Sequence, residues 1–299
     1  MATLSRRDWL RNAGMGTAVL TLAPGLFSSG LLAEEPRVPD HSRNNVSDAD
    51  EIALGKRFAA ELERESPIVS DSTIDPYLNS IVQQLASKSQ RPNMPYTIKL
   101  INTYDVNACS LPGGSMYCNR GLLELVTSED QLVATLAHEI GHVVGRHVVN
   151  RIMLSLEARA LLKPVLDNLH KQNGVIEKII LEMGGAVAML AMLHFSRQDE
   201  AQADLLGFYE MLRAGWDPHG FIKMFAMLDK LERASGGINI PFLSDHPPTP
   251  ERLAAMKHEL TQVRIPGDAV SDSLSFHKCK ALAHLLPAPP KPRKPQPKG

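Results

Sequence analysis

Aromatic side chains are scarce. Phe, Trp and Tyr make up 5% of the 299 residues, so the core has to be filled by Leu, Ile, Val, Ala and Met. Cysteine is nearly missing too: Cys109, Cys118 and Cys279 are too few for a disulfide scaffold and match no zinc-finger spacing. Cys109 and Cys118 flank an expected hairpin, where a bridge would fit, although buried thiols are the favoured reading. There is no excess of one charge sign. Thirty-two Lys and Arg against 33 Asp and Glu give a net charge of -1, without the basic bias of a nucleic-acid binder. An uninterrupted apolar run of the ~20 residues that cross a bilayer is also lacking. Val175 to Phe195 comes nearest, but it contains Glu177, Lys178, Glu182 and His194. It reads as a buried or membrane-leaning helix, which leaves room for peripheral membrane contact.

What remains is ordinary globular composition, 43% hydrophobic and 22% charged. The chain is long enough for one sizeable domain or two small ones. Residues 1–33 read as an export signal, with Arg6-Arg7 after Ser5 followed by an apolar stretch that Gly14, Gly16, Pro24 and Gly25 interrupt. The paired arginines resemble the twin-arginine type. Such a signal places the mature protein in the periplasm or otherwise outside the cytoplasm. Residues 34–46 are polar and carry proline, as a linker does. Residues 286–299 are rich in Pro and Lys without apolar anchors, the composition of a disordered tail.

Between these segments, residues 47–285 read as one folded domain. Ser47 caps a helix that starts with Asp48, Asp50 and Glu51. A second helix is expected over Asp75–Lys88, with Leu78, Ile81, Val82 and Leu85 on one side. Tyr96–Ile101 alternates like a strand, and Pro112-Gly113-Gly114 marks a turn between two strand-like pieces within Ala108–Cys118. Ser128 and Gln131 form a capping box opening a long helix whose pattern continues to about Leu162. Further helices are expected over Val175–Ser196, Glu200–Ala214, Pro218–Ala234 and Thr249–Leu260. The expected fold class is α+β and predominantly helical, with a small sheet near residues 96–118.

His138-Glu139-Ile140-Gly141-His142 spells H-E-x-x-H inside that capped helix. Four residues turn a helix by ~400°, so the two histidines lie ~40° apart on one face and can share a tetrahedral zinc. Glu139 follows the first histidine and can act as general base toward water at the site. The surrounding Ala134, Thr135, Leu136, Ala137, Ile140 and Val143 make the helix largely buried, and buried histidines and a glutamate need partners.

A catalytic zinc site needs a third protein ligand, and two candidates compete. One is His147, since Gly145 and His147 after His142 resemble the metzincin pattern H-E-x-x-H-x-x-G-x-x-H, in which the chain bends at the glycine. An unbroken helix would instead turn His147 by ~900°, onto the face opposite His138. The other is Glu200, one helical turn ahead of Asp204 on the same face. That spacing suits a ligand carboxylate with a second carboxylate positioned to accept the free N–H of a ligand histidine.

His138-Glu139-x-x-His142 followed by Glu200-x-x-x-Asp204 resembles the gluzincin metallopeptidase family of HtpX, the CAAX prenyl proteases and the BepA- and LoiP-like periplasmic proteases. Asn107-Ala108, Leu111-Pro112-Gly113-Gly114, Gly121-Leu122-Leu123, Ser196-Arg197 and His246-Pro247-Pro248-Thr249-Pro250-Glu251-Arg252 match other elements of that family in order. The resemblance spans roughly residues 48–260 and implies a zincin-type metallopeptidase domain with the small sheet beside the H-E-x-x-H helix. It implies His138, His142 and Glu200 as ligands of one zinc per chain, Glu139 as catalytic base and Asp204 as support for a ligand. It also brings His246 or Arg252 to the site, to stabilise the oxyanion or regulate access. The strand around Gly113–Tyr117 would be an edge for peptide pairing.

The expected activity is zinc-dependent endopeptidase hydrolysis of misfolded or unassembled cell-envelope proteins, with polypeptide substrates and no nucleic acid. The alternatives are a zinc-containing periplasmic chaperone with latent protease activity and a metzincin-type secreted protease using His147. No tetratricopeptide block follows residue 260, so repeat-based partner binding is not expected.

Overall fold

The computed structural model describes residues 46–161, 195–236 and 240–290. The export signal, nearly all of the linker, the apolar helix expected over Val175–Ser196 as far as His194, and the tail from residue 291 lie outside the described residues.

Ser47 accepts a hydrogen bond from the Asp50 amide at 3.1 Å and opens α1 (Asp48–Glu65), whose acidic first turn complements the helix dipole. In α2 (Ile74–Ala86) the residues Ile74, Leu78, Ile81, Val82 and Leu85 form one buried stripe. Three short strands follow: β1 (Thr97–Ile101), β2 (Ala108–Ser110) and β3 (Ser115–Asn119). The spatial order is β1-β3-β2, with β1 parallel and β2 antiparallel to β3. Gly113 and Gly114 adopt φ of 76° and 94° in the β2–β3 turn, a region where a Cβ is strained.

The rest is helical: α3 (Arg120–Leu125), α4 (Glu129–Val144), α5 (His147–Leu161), α6 (Arg197–Arg213), α7 (His219–Ala234), α8 (Pro241–Asp245), α9 (Pro250–Gln262) and α10 (Leu274–Leu285). The architecture is α+β and mostly helical, with the sheet beside α4. All sixteen residues of α4 are buried, so this helix is the centre of the core. The largest hydrophobic cluster gathers α2, one face of the sheet, α4, α6, α7, α9 and α10 around it.

Two glycines let α4 and α6 touch backbone to backbone. A Cβ on Gly141 would lie 2.5 Å from the Ala203 carbonyl oxygen, and one on Gly207 2.7 Å from the Ala137 carbonyl carbon. Gly141→Ala must push the helices apart, so denaturant unfolding should show a loss of about 1–3 kcal/mol, the usual penalty for overpacking. An unchanged midpoint would refute the close crossing.

Two expectations are corrected, on the long helix and on the edge strand, and the favoured reading of the cysteines as free thiols holds. The helix expected to run unbroken to Leu162 stops at Val144, and α5 restarts at His147. Arg146 takes φ 56° between them, with its guanidinium 3.0 Å from Glu51 and bonded to the Val46 carbonyl at 2.6 Å. Apolar residues continue on both sides of the break, so periodicity could not show it. Cys109 and Cys118 do not bridge. Cys109 pairs across the ladder with Tyr117 and Cys118 with Ala108, which puts the two thiols on opposite faces of the sheet, and both are free. The strand around Gly113–Tyr117 is not an edge, because β3 lies between β1 and β2. Among the described residues, the open edge beside α4 belongs to β2.

Candidate metal centre

Helix α4 carries His138, Glu139 and His142, and its start is fixed by Gln131, whose side-chain oxygen accepts from the Thr127 and Ser128 amides at 2.6 and 3.4 Å. Helix α6 carries Glu200 and Asp204. Its capping box is reciprocal: Ser196 Oγ accepts from the Asp199 amide at 3.1 Å while Asp199 accepts from the Ser196 amide at 2.9 Å. The glycine contact between the two helices sets Glu200 against the histidines. His246 arrives from the end of α8, and Arg252 from the first turn of α9.

Four donor groups converge. His138 Nε2 lies 3.0 Å from His142 Nε2 and 3.2 Å from His246 Nδ1. Glu200 Oε1 lies 2.9 Å from His246 Nδ1 and 3.4 Å from His142 Nε2. All four residues are buried, and together they form the candidate metal-holding group among the described residues. The spacing can be tested against a metal. A tetrahedral ion with ligand distances of ~2.0–2.2 Å sets its donor atoms roughly 3.3–3.6 Å apart. The observed separations of 2.9–3.4 Å fall just inside that size. The chemistry fits as well. His138 Nδ1 lies 2.9 Å from Asp204 Oδ1, a carboxylate beside that nitrogen which favours the N–H there and the lone pair on Nε2, the nitrogen at the cluster. A buried convergence of lone pairs and a carboxylate is favourable only with a cation among them.

Electrostatics sort the carboxylates. Burial raises the Glu139 pKa above the usual carboxylate range, although His246 and His138 pull against it. Burial also opposes charge on Glu200, but His246 and His138 outweigh it and hold that carboxyl far below the ordinary value. Asp204 is likewise lowered against its burial by the Arg252 guanidinium. His138 loses by burial, yet the Glu200 and Asp204 carboxylates push its pKa up to about 9. Arg252 grips Asp204 through two nitrogens at 2.6 and 2.7 Å and reaches Glu200 Oε2 with a third at 2.8 Å. It therefore braces the two carboxylates from behind.

Glu139 sits beside this group. Its Oε1 is 3.3 Å from His246 Nε2, and its Oε2 accepts from Ser110 Oγ at 2.9 Å. Ser110 was not singled out by the sequence, because a lone serine in a short strand carries no pattern. His147 lies outside the donor cluster. It follows Gly145 by two positions, one fewer than the metzincin spacing, and its Nδ1 faces His142 Nδ1 at 2.9 Å. Phe195 stacks on the His142 ring at 4.1 Å, and Phe242 lies 5.0 Å from the His246 ring. Glu139 and His246 are both nearly inaccessible, so the site is closed over in this conformation.

The edge beside the site has a defined register. Asn119 donates to the Asn107 carbonyl at 2.9 Å and Leu111 to the Ser115 carbonyl at 2.8 Å. Bonded pairs thus fall on odd-numbered residues of β2, and the backbone groups of Val106, Ala108 and Ser110 face away from β3. Phe242 N already bonds the Val106 carbonyl at 3.3 Å.

This fold and donor set define a zincin-type metallopeptidase domain. The chain belongs to peptidase family M48, whose family model matches residues 72–260. Among its relatives, the beta-barrel assembly-enhancing protease of Escherichia coli K12 is 27% identical over 284 residues, covering 89% of this chain and 55% of that protein. The metalloprotease LoiP of the same organism is 24% identical over 245 residues, covering 81% of this chain and 92% of the relative. The mitochondrial metalloendopeptidase OMA1 of Schizosaccharomyces pombe is 26% identical over 237 residues, covering 76% and 67%. The chain spans about half the length of the beta-barrel assembly-enhancing proteases it matches.

Proposed function

We propose that this protein is an exported zinc-dependent endopeptidase, with His138, His142 and Glu200 as metal ligands and Glu139 as general base, acting on misfolded or unassembled cell-envelope polypeptides. The observation that carries the reading is the buried convergence of His138, His142, Glu200 and His246 with the Glu139 carboxyl beside it. Nitrogen and carboxylate donors at tetrahedral spacing favour zinc among the common divalent ions. Bound there, zinc supplies Lewis-acid polarisation of a peptide carbonyl and lowers the pKa of water to about 7.

The chain's own residues do the rest. An extended substrate pairs with the outward backbone groups of Ala108 and Ser110, which fixes the scissile bond over α4. Glu139, buried and raised in pKa, takes a proton from the attacking water and passes it to the leaving amine. Ser110 Oγ holds the Glu139 carboxylate in place. Asp204 and Arg252 keep His138 and Glu200 oriented. His246 fills the fourth donor position, which must open for substrate and water, so the conformation described here is a latent one.

The envelope assignment rests on Arg6-Arg7 and the apolar stretch after it, read as an export signal ahead of a metallopeptidase domain over residues 47–285. The relatives named for beta-barrel assembly support it. Among the described residues no helix is long and apolar enough to cross a membrane. Elemental analysis of the purified mature chain tests the ligand set. Zinc near one per chain is expected in the wild type and less than about a tenth of that in Glu200→Gln, because Glu200 is the one carboxylate among the four converging donors and the three imidazoles left carry no negative charge to hold the ion. Full zinc in Glu200→Gln would remove Glu200 from the ligand set and reopen the reading with His147.

A further inference from the structure

We propose that His147, held by Gln202, is a positioning residue that fixes the tautomer of His142 and keeps its Nε2 lone pair aimed into the donor cluster. The inference rests on the metal-site reading above. A neutral imidazole carries one N–H, and the partner of one nitrogen decides which nitrogen keeps the lone pair. His142 Nδ1 and His147 Nδ1 are 2.9 Å apart, so one donates and the other accepts. His147 Nε2 faces two acceptors, Gln202 Oε1 at 3.0 Å and Asp199 Oδ1 at 4.0 Å. The N–H of His147 therefore sits on Nε2, and its Nδ1 accepts. His142 must then carry its hydrogen on Nδ1, which leaves Nε2 bare, 3.0 Å from His138 Nε2. The opposite tautomer would place a hydrogen at the middle of the cluster and block a cation.

The chain is built to hold this relay. The left-handed Arg146 turns the backbone so that His147 folds back onto the preceding helix. A Cβ on Gly145 would lie 2.3 Å from His147 Nε2, so the bare glycine makes room for the ring. Phe195, stacked on His142 at 4.1 Å, fixes the plane of the ring whose lone pair is being aimed. Gln202 stands two residues after Glu200 on α6, so one helix supplies both the carboxylate and the last acceptor of the relay. His138 has the matching arrangement through Asp204. Each α4 histidine thus has a partner of its own within 2.9 Å of Nδ1.

The test is zinc affinity by competition with a chromogenic chelator on the mature wild type, His147→Phe, Gln202→Leu and Gln202→Glu, alongside melting temperatures of the metal-free proteins. His147→Phe and Gln202→Leu should bind zinc about 10–100-fold more weakly, the usual effect of removing a group that orients a ligand. Gln202→Glu keeps an acceptor and should stay within about threefold of wild type. Gln202 is only half-buried, so Gln202→Leu should melt with the wild type when metal-free. Wild-type affinity in Gln202→Leu overturns the relay, as does a Gln202→Glu no better than Gln202→Leu. A wild type that binds no zinc overturns the metal site itself and the relay with it, whereas a zinc-binding wild type with unaffected variants overturns the relay alone.

Discussion

Glu139→Gln should retain about one zinc per chain and lose hydrolysis of an unfolded casein-type substrate by roughly 10²–10⁴-fold, the range for removing a general acid–base group. The amide has the shape of the carboxylate, and its oxygen can still accept from Ser110 Oγ, so packing at the 2.9 Å contact is preserved. What disappears is the ability to accept a proton. The lost group is a buried carboxyl whose pKa burial raises above the usual carboxylate value, the direction that favours a general base. Glu139 is outside the set of donors at tetrahedral spacing, so zinc content should not follow activity. If the variant loses zinc as well, Glu139 is a ligand and the division of roles is wrong. Cleavage undiminished in the variant would require another base. The measurement is best made in the wild type and again with His246→Ala, since a closed site could mask a real difference.

The helix that carries H-E-x-x-H was legible because its signal is short-range. A serine cap, a glutamine three residues on and two histidines one turn apart are all local facts, and α4 follows them closely. The α6 carboxylates were legible for the same reason, since Glu200 and Asp204 are themselves one turn apart. The fold class followed from the same local patterns. What the sequence did not reveal depends on tertiary contact. Glu51 reaches from α1 to hold Arg146 in its left-handed turn, and no pattern around Gly145 announces it. The pairing order β1-β3-β2 puts the expected edge strand in the middle, because a parallel β1 joins its far side. Ser110 and Gln202 gain meaning only through partners 29 and 55 residues away. Arg252 was expected to approach the site. Its place behind Asp204 and Glu200 is set by the start of α9, where Thr249 Oγ1 accepts from the Arg252 amide.

His246→Ala should raise kcat/KM for an unfolded substrate by about tenfold or more, while weakening zinc binding. His246 Nδ1 bonds Glu200 at 2.9 Å, and its Nε2 lies 3.3 Å from Glu139. Contacts to charged groups of this kind contribute about 1.5–3 kcal/mol each. Even ~1.5–3 kcal/mol in favour of the closed arrangement keeps the open fraction near a tenth to a hundredth, and apparent substrate affinity falls by that fraction. The same segment also blocks the pairing edge, because Phe242 N occupies the Val106 carbonyl just ahead of Ala108 and Ser110. One movement of residues 240–246 would therefore clear the fourth donor position and the start of the substrate strand together. The opposite result has an equally definite meaning. A fall in kcat of about 10²–10³-fold, with KM little changed, is what loss of an oxyanion donor produces. In that case His246 acts on the reacting carbonyl rather than on access, and Phe242 should become the residue whose removal accelerates turnover. A variant with both constants unchanged would exclude both roles and leave His246 as packing against Phe242 and Phe195.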